Sequence, residues 1–252
     1  MPKILVLLPI LKNAALEQAT RQELSRLDGP GLNLEVRSLE HGPASIESEF
    51  DDRLASPWVL EEVVKAEREG FNAVYVSCMG DIAINAAREL VRIPVIGPYQ
   101  ACLAVAACLG DRTGVVTILK NVIPLFIRKA REYGFSELLA GVRSIEVPVL
   151  ELEERRKEVV EALVEESKAL VEEDGADSII LGCTGLVGLA QAVQERLGVP
   201  VLDPTPVSVK LAELLLAAGV SHSPKAYMRP PKKLRRIPAL SSLAGNALQV
   251  LP

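Results

Sequence analysis

Ala73-Val74-Tyr75-Val76-Ser77-Cys78-Met79-Gly80 and Ser178-Ile179-Ile180-Leu181-Gly182-Cys183-Thr184-Gly185 are two versions of one unit. Each is a short strand-forming run that ends in a cysteine and a small-residue turn, followed by apolar residues at helical spacing. Each then closes on a Pro-Val pair, in Ile93-Pro94-Val95-Ile96-Gly97-Pro98 and in Val199-Pro200-Val201-Leu202-Asp203-Pro204. The offset is 105 residues at the cysteine and 106 at the Pro-Val pair. Farther out, Lys3 to Leu8 and Thr113 to Ile118 are strand runs at a similar offset, so the duplication covers whole lobes and not one local motif.

Leu34 to Ser38 and Val142 to Val147 add two more strand runs, and helical stretches such as Ser56 to Glu69 and Glu154 to Glu173 lie between the runs. This alternation predicts an α/β fold of two pseudo-symmetric lobes, each a mainly parallel four-stranded sheet flanked by helices, with the active site in the cleft between them. Lobe 1 is expected to take residues 1–98 plus the C-terminal part of 200–220, and lobe 2 residues 99–200. The mixed charges of Glu151 to Lys157 read as a solvated helix face. Residues 221–252 form a Pro-rich tail around the basic run Lys232-Lys233-Leu234-Arg235-Arg236, expected to be solvated or to clasp another subunit.

Nearly half of the 252 residues are hydrophobic, with few aromatics, which is enough apolar material for a full core. The net charge of −5 and the lack of a basic stripe in the body of the chain argue against nucleic acid as a partner. No apolar run is long enough to span a bilayer, and Met1 to Ile10 reads as a first strand and not as a signal peptide. The expectation is a cytoplasmic protein with no membrane partner. Four cysteines without a CxxC pair and two histidines point to neither a disulfide scaffold nor a metal site.

Cys78 and Cys183 each end a buried strand at the carboxyl edge of a sheet, where open α/β folds bind ligands. A helix N-terminus beyond each would favour the thiolate and make it a base near neutral pH. Two related lobes would set the sulfurs on opposite faces of one bound carbon. An ionised and a protonated thiol there could remove a proton from one face and return one to the other, with coupled titrations. Gly80 and Gly185 would let backbone N–H groups approach a carboxylate or imide oxygen, and Thr184 adds a hydroxyl. Cysteine is also a common core residue, and Cys102 and Cys108, which have no counterpart in the repeat, are read as core.

With Cys78-Met79-Gly80-Asp81 and Leu181-Gly182-Cys183-Thr184-Gly185-Leu186, the chain resembles the aspartate/glutamate/hydantoin racemase superfamily, and within it the hydantoin racemase branch. Gly42-Pro43-Ala44-Ser45-Ile46-Glu47, Gly114-Val115-Val116-Thr117 and Pro200-Val201-Leu202-Asp203 agree, so the resemblance spans about residues 3 to 220. It implies PLP-independent chemistry without a cofactor, at a carbon α to a carbonyl, as in 5-substituted hydantoins or allantoin. It also implies a homo-oligomer, with a small molecule carrying a carbonyl, imide or carboxylate group as the partner. By motif match Cys78 and Cys183 are the two bases, and Ile46, Met79, Gly80, Thr117, Thr184 and Gly185 line the pocket, with Pro9 and Asn13 from the first strand's exit loop.

The chain departs from the branch in three places. Met79 stands where it usually has an aromatic, Gln100 where it often has a glutamate, and Leu8-Pro9-Ile10 replaces its Asn-Pro-Asn pattern. The Asn-Thr pair typical of amino-acid racemases after the first cysteine is Met79-Gly80 here, which disfavours free aspartate or glutamate. The same architecture also hosts cis/trans isomerases and decarboxylases of small dicarboxylates, and a non-enzymatic module that senses a small acid is a further alternative.

Overall fold

Tyr75 shows why both faces of the first sheet are apolar. Its strand alternates Ala73 and Tyr75 toward one cluster of buried side chains with Val74 and Val76 toward another. The computed structural model describes residues 1–27 and 32–235. Among them, β1 (Lys3–Leu11), β2 (Asn33–Leu39), β3 (Ala73–Val76) and β4 (Val95–Ile96) form one sheet in the order β2-β1-β3-β4. A second sheet repeats that order as β6-β5-β7-β8, from β5 (Thr113–Thr117), β6 (Leu139–Ser144), β7 (Ser178–Leu181) and β8 (Val201–Leu202). Every pairing is parallel.

The helices are α1 (Ala14–Leu27), α2 (Glu49–Arg68), α3 (Ile84–Leu90), α4 (Pro98–Ala106), α5 (Ile123–Glu132), α6 (Arg156–Glu172), α7 (Ala190–Leu197) and α8 (Pro204–Ala217). On β1, Leu5 and Leu7 meet Val59 and Val63 of α2, while Ile4 and Val6 belong to the cluster that runs through to the second sheet. Each such fully buried side chain contributes about 1.5–3 kcal/mol relative to exposure. The helix that leaves the second sheet, α8, turns back to pack on α1, α4 and β3, and this crossover joins the two halves. No helix among the described residues is long and apolar enough to cross a membrane.

Several boundaries differ from the sequence reading. The second sheet runs on to Leu202, because β8 pairs with Ile179 and Ile180 of β7, two residues past the boundary expected at 200. The strand expected over Val142–Val147 lies at Leu139–Ser144, since Glu146 turns left-handed (φ 53°) and ends the extended backbone. Helix α2 begins at Glu49 and runs through Pro57; its start is set by Ser48, whose hydroxyl accepts from Asp51 N. Cys102 is buried as expected, but α4 ends at Ala106 and leaves Cys108 exposed.

Of the tail, 221–235 is described, and Arg236 and Pro238 of its basic, Pro-rich part lie outside the described residues. The start of the tail lies on its own chain. Ser221 Oγ donates to Arg92 O, His222 Nε2 bonds to Val91 O, and Arg229 donates to Leu90 O.

Candidate active site

The two repeated turns meet. Cys78 follows β3 and Cys183 follows β7, and both line the same two adjoining chambers. The first, about 50 Å³, is bounded by Pro9, Ile46, Thr184 and Gly185 together with Leu16 and Val149. The second, also about 50 Å³, adds Met79, Gly80 and Thr117, with Leu125 and Phe126. The structure thus brings together all but one of the residues singled out from sequence. The exception is Asn13, whose carboxamide oxygen accepts from the N–H groups of Ala15 and Leu16 (3.1 Å each) and so caps α1.

Polar bonds tie the halves at this seam. Thr184 Oγ1 donates to Ser77 O (3.0 Å), and Ser77 Oγ donates to the Tyr75 hydroxyl, which lies 3.3 Å from Thr205 Oγ1 at the start of α8. On the other side of the cleft, Glu47 accepts from Val149 N at 2.6 Å, while its carbonyl accepts from Asn121 Nδ2. The loop that carries Ile46 is therefore fastened to the opposite lobe. Sequence reading found Ile46 through its motif. It missed Leu16, Val149, Leu125 and Phe126, which come from unrelated elements and carry no local signal beyond apolarity.

The helix start expected at each sulfur is present in short form at one of them. Cys183 caps a single 3-10 turn, Thr184–Leu186, ahead of α7 at Ala190, whereas after Cys78 a turn intervenes and α3 starts only at Ile84. The backbone N–H groups of Gly80 and Gly185 are turned to the sulfurs, the latter at 3.3 Å from Cys183 Sγ. A Cβ at 185 would stand 2.8 Å from Leu152 Cδ1, so a side chain there requires Leu152 to shift.

Burial outweighs these donors and raises both thiols. Cys183 is pushed up to about 11, with the N–H groups of Gly185 and Leu186 opposing the shift. Cys78 is pushed up further, with the charges of Cys183, Asp52 and Asp81 added to its burial. The expected low-pKa thiolates are thus replaced by two raised thiols, with more negative neighbours around Cys78 than around Cys183. Each charge opposes the other, so the pair favours one thiolate and one thiol over two thiolates.

The lining of both chambers contains no charged side chain among the described residues. Among those residues, no group of three or more His, Cys, Asp or Glu side chains is arranged to hold a metal ion.

A family model described as Asp/Glu/Hydantoin racemase matches residues 7–212. A hydantoin racemase of Pseudomonas sp. (strain NS671) is 36% identical over 205 residues, 81% of this chain and 82% of that protein. A hydantoin racemase of Paenarthrobacter aurescens is 34% identical over 92% of this chain and 98% of its own length. Among solved structures, an allantoin racemase from Klebsiella pneumoniae superposes with a TM-score of 0.90 at 31% identity, covering 96% of this chain and 99% of that one.

Proposed function

This chain belongs to the Asp/Glu/hydantoin racemase family and is an isomerase of the racemase type, and on that premise we propose that it racemises 5-substituted hydantoins or allantoin with Cys78 and Cys183 as acid/base pair. The reading rests most on one observation: the equivalent cysteines of a duplicated unit line one shared cavity whose walls carry no charged side chain. A neutral ring suits such walls. A zwitterionic amino acid or a dicarboxylate would have to give up its water without a countercharge, which is costly.

In one direction the Cys183 thiolate takes the proton from the carbon α to the carbonyl, and the Cys78 thiol delivers its own proton to the opposite face. The sulfurs then hold exchanged protonation states, so the opposite enantiomer is processed from the other side. The proton on carbon is replaced at each turnover, with no bond of the ring broken. Pro9, Ile46, Met79, Gly80, Thr117, Thr184 and Gly185 are the contacts proposed for the ring and its substituent.

Enantiopure 5-benzylhydantoin and allantoin, incubated in deuterated water, test this. Loss of optical activity with uptake of one deuterium at the stereocentre is expected, and racemisation should fall at least 1,000-fold in both Cys78→Ser and Cys183→Ser. A substrate that loses carbon dioxide, or racemisation that survives either substitution, overturns the two-thiol reading.

A further inference from the structure

We propose that the cavity between α3, β4, α4 and the 221–227 segment, away from the cysteines, binds a small organic anion with an apolar body. At about 390 Å³ it is larger than either cysteine chamber and falls within the usual range of small-molecule sites. Its walls are mainly apolar, from Ile96, Ala101, Ala104, Phe135, Leu211 and Leu215. Set into them is the half-buried guanidinium of Arg88.

Arg88 is held entirely by neutral groups. Its Nε and Nη2 donate to Val95 O (3.1 and 3.0 Å), Nη2 also donates to Gln100 Oε1 (2.9 Å), and Nη1 donates to the Tyr227 hydroxyl (3.1 Å). The guanidinium groups of Arg92 and Arg229 stand close by and donate to Tyr227 O and Leu90 O, while the Arg92 backbone N–H donates to the Glu67 carboxylate. Among the described residues none of these three guanidinium groups forms an ion pair, whereas those of Arg37, Arg143, Arg155 and Arg196 all do.

Arg88 brings its charge to a lining that holds no carboxylate among the described residues. A cation fixed by its neighbours and partly withdrawn from water lacks only an acceptor of opposite charge. A carboxylate or similar anion would supply it at the one Nη1–H that these partners leave over, in a charge-assisted hydrogen bond, while its apolar part fills the cavity. The proposal is independent of the chemistry at the cysteines.

Calorimetric titration of the full chain with benzoate, and with benzamide as its neutral isostere, tests the site. Benzoate is expected to bind at least tenfold more tightly than benzamide. Gln100→Glu places a carboxylate against Arg88 from within the chain, and it should weaken benzoate at least tenfold while leaving benzamide unmoved. Arg88→Met should remove the preference for the anion. Equal binding of the two probes, no binding of benzoate at millimolar concentration, or an affinity unchanged in Gln100→Glu overturns the proposal. So does benzoate that shields Cys183 from iodoacetamide, because the anion would then be in the cysteine chambers.

Discussion

The two lobes solve one problem with the same parts in exchanged places. In each, a carboxylate ties the turn after the cysteine to the start of the next long helix. In the first lobe that carboxylate is Asp81, on the cysteine turn, and it accepts from the N–H groups of Tyr99 and Gln100 at the start of α4 (2.9 Å each). In the second it is Asp203, at the helix start, and it accepts from Thr205 N of α8 and reaches back to Gly188 N (2.7 Å). Gly97 occupies the place of Asp203, and a Cβ there would fall 2.7 Å from the Asp81 carboxylate. What the repeat preserves is the tie, and either end may supply the charge.

Breaking that exchange has the largest expected effect. Gly97→Asp puts two carboxylates into one buried space and should destabilise the fold by about 3 kcal/mol or more, from overpacking and unpaired charge. Adding Asp81→Gly removes the first lobe's own carboxylate at a position whose left-handed backbone (φ 49°) suits glycine, and should restore at least half of the loss. Urea denaturation of the single and double variants reads both. A double variant no more stable than Gly97→Asp alone would mean that the two ties are not interchangeable.

Asp203 sharpens the comparison through pH. Burial pushes its carboxyl up to about 6, against the two N–H bonds that favour the anion. The folded chain therefore holds this proton more tightly than the unfolded chain does. The group's contribution to stability is full below the ordinary carboxylate range and is lost as pH rises through about 6, with about 2 kcal/mol of the change falling between pH 4 and 7. The fall in unfolding free energy between pH 4 and 7 should shrink by that amount in Asp203→Asn. An unchanged slope would place the titration elsewhere.

The thiols differ in the same lobe-by-lobe way. Fewer negative neighbours raise Cys183 than Cys78, so iodoacetamide at pH 8–9 should label Cys183 faster, at rates still climbing toward pH 11. Peptide mapping of partially labelled protein gives the ratio. Faster labelling of Cys78 would reverse the order of ionisation used in the mechanism.

The strands were legible because β-branched runs end at turns, and the matching cysteines were legible because the duplication aligns them. The same signals could not place the helices that follow. Small, apolar Ile82 and Ala83 after Cys78 look helical, yet the chain spends them in a turn before Ile84. That turn is what removes the dipole from the sulfur. Asn13 came only from the family resemblance, and its carboxamide caps α1, which begins at once. Nor does the order of residues in the chain reveal that Val149 and Glu47 meet, or that the start of the tail, 221–229, folds onto the end of α3.

Ala83 offers the smallest effect and the finest test of how far the lobes are equivalent. It holds a left-handed backbone (φ 55°), and its counterpart in the second lobe is Gly188 at φ 76°. A left-handed alanine costs roughly 1–2 kcal/mol, whereas a glycine gives back about 0.4–1 kcal/mol through the freedom of the unfolded chain. Ala83→Gly should therefore stabilise by about 0.5 kcal/mol, about 1–2 °C in Tm for a chain of this size. Gly188→Ala should cost stability, because its Cβ also comes within 3.3 Å of Glu23 Oε2. If both substitutions lower Tm, the methyl group of Ala83 does work in the first lobe that its counterpart does not, and the turn after Cys78 is held by packing and not by its backbone alone.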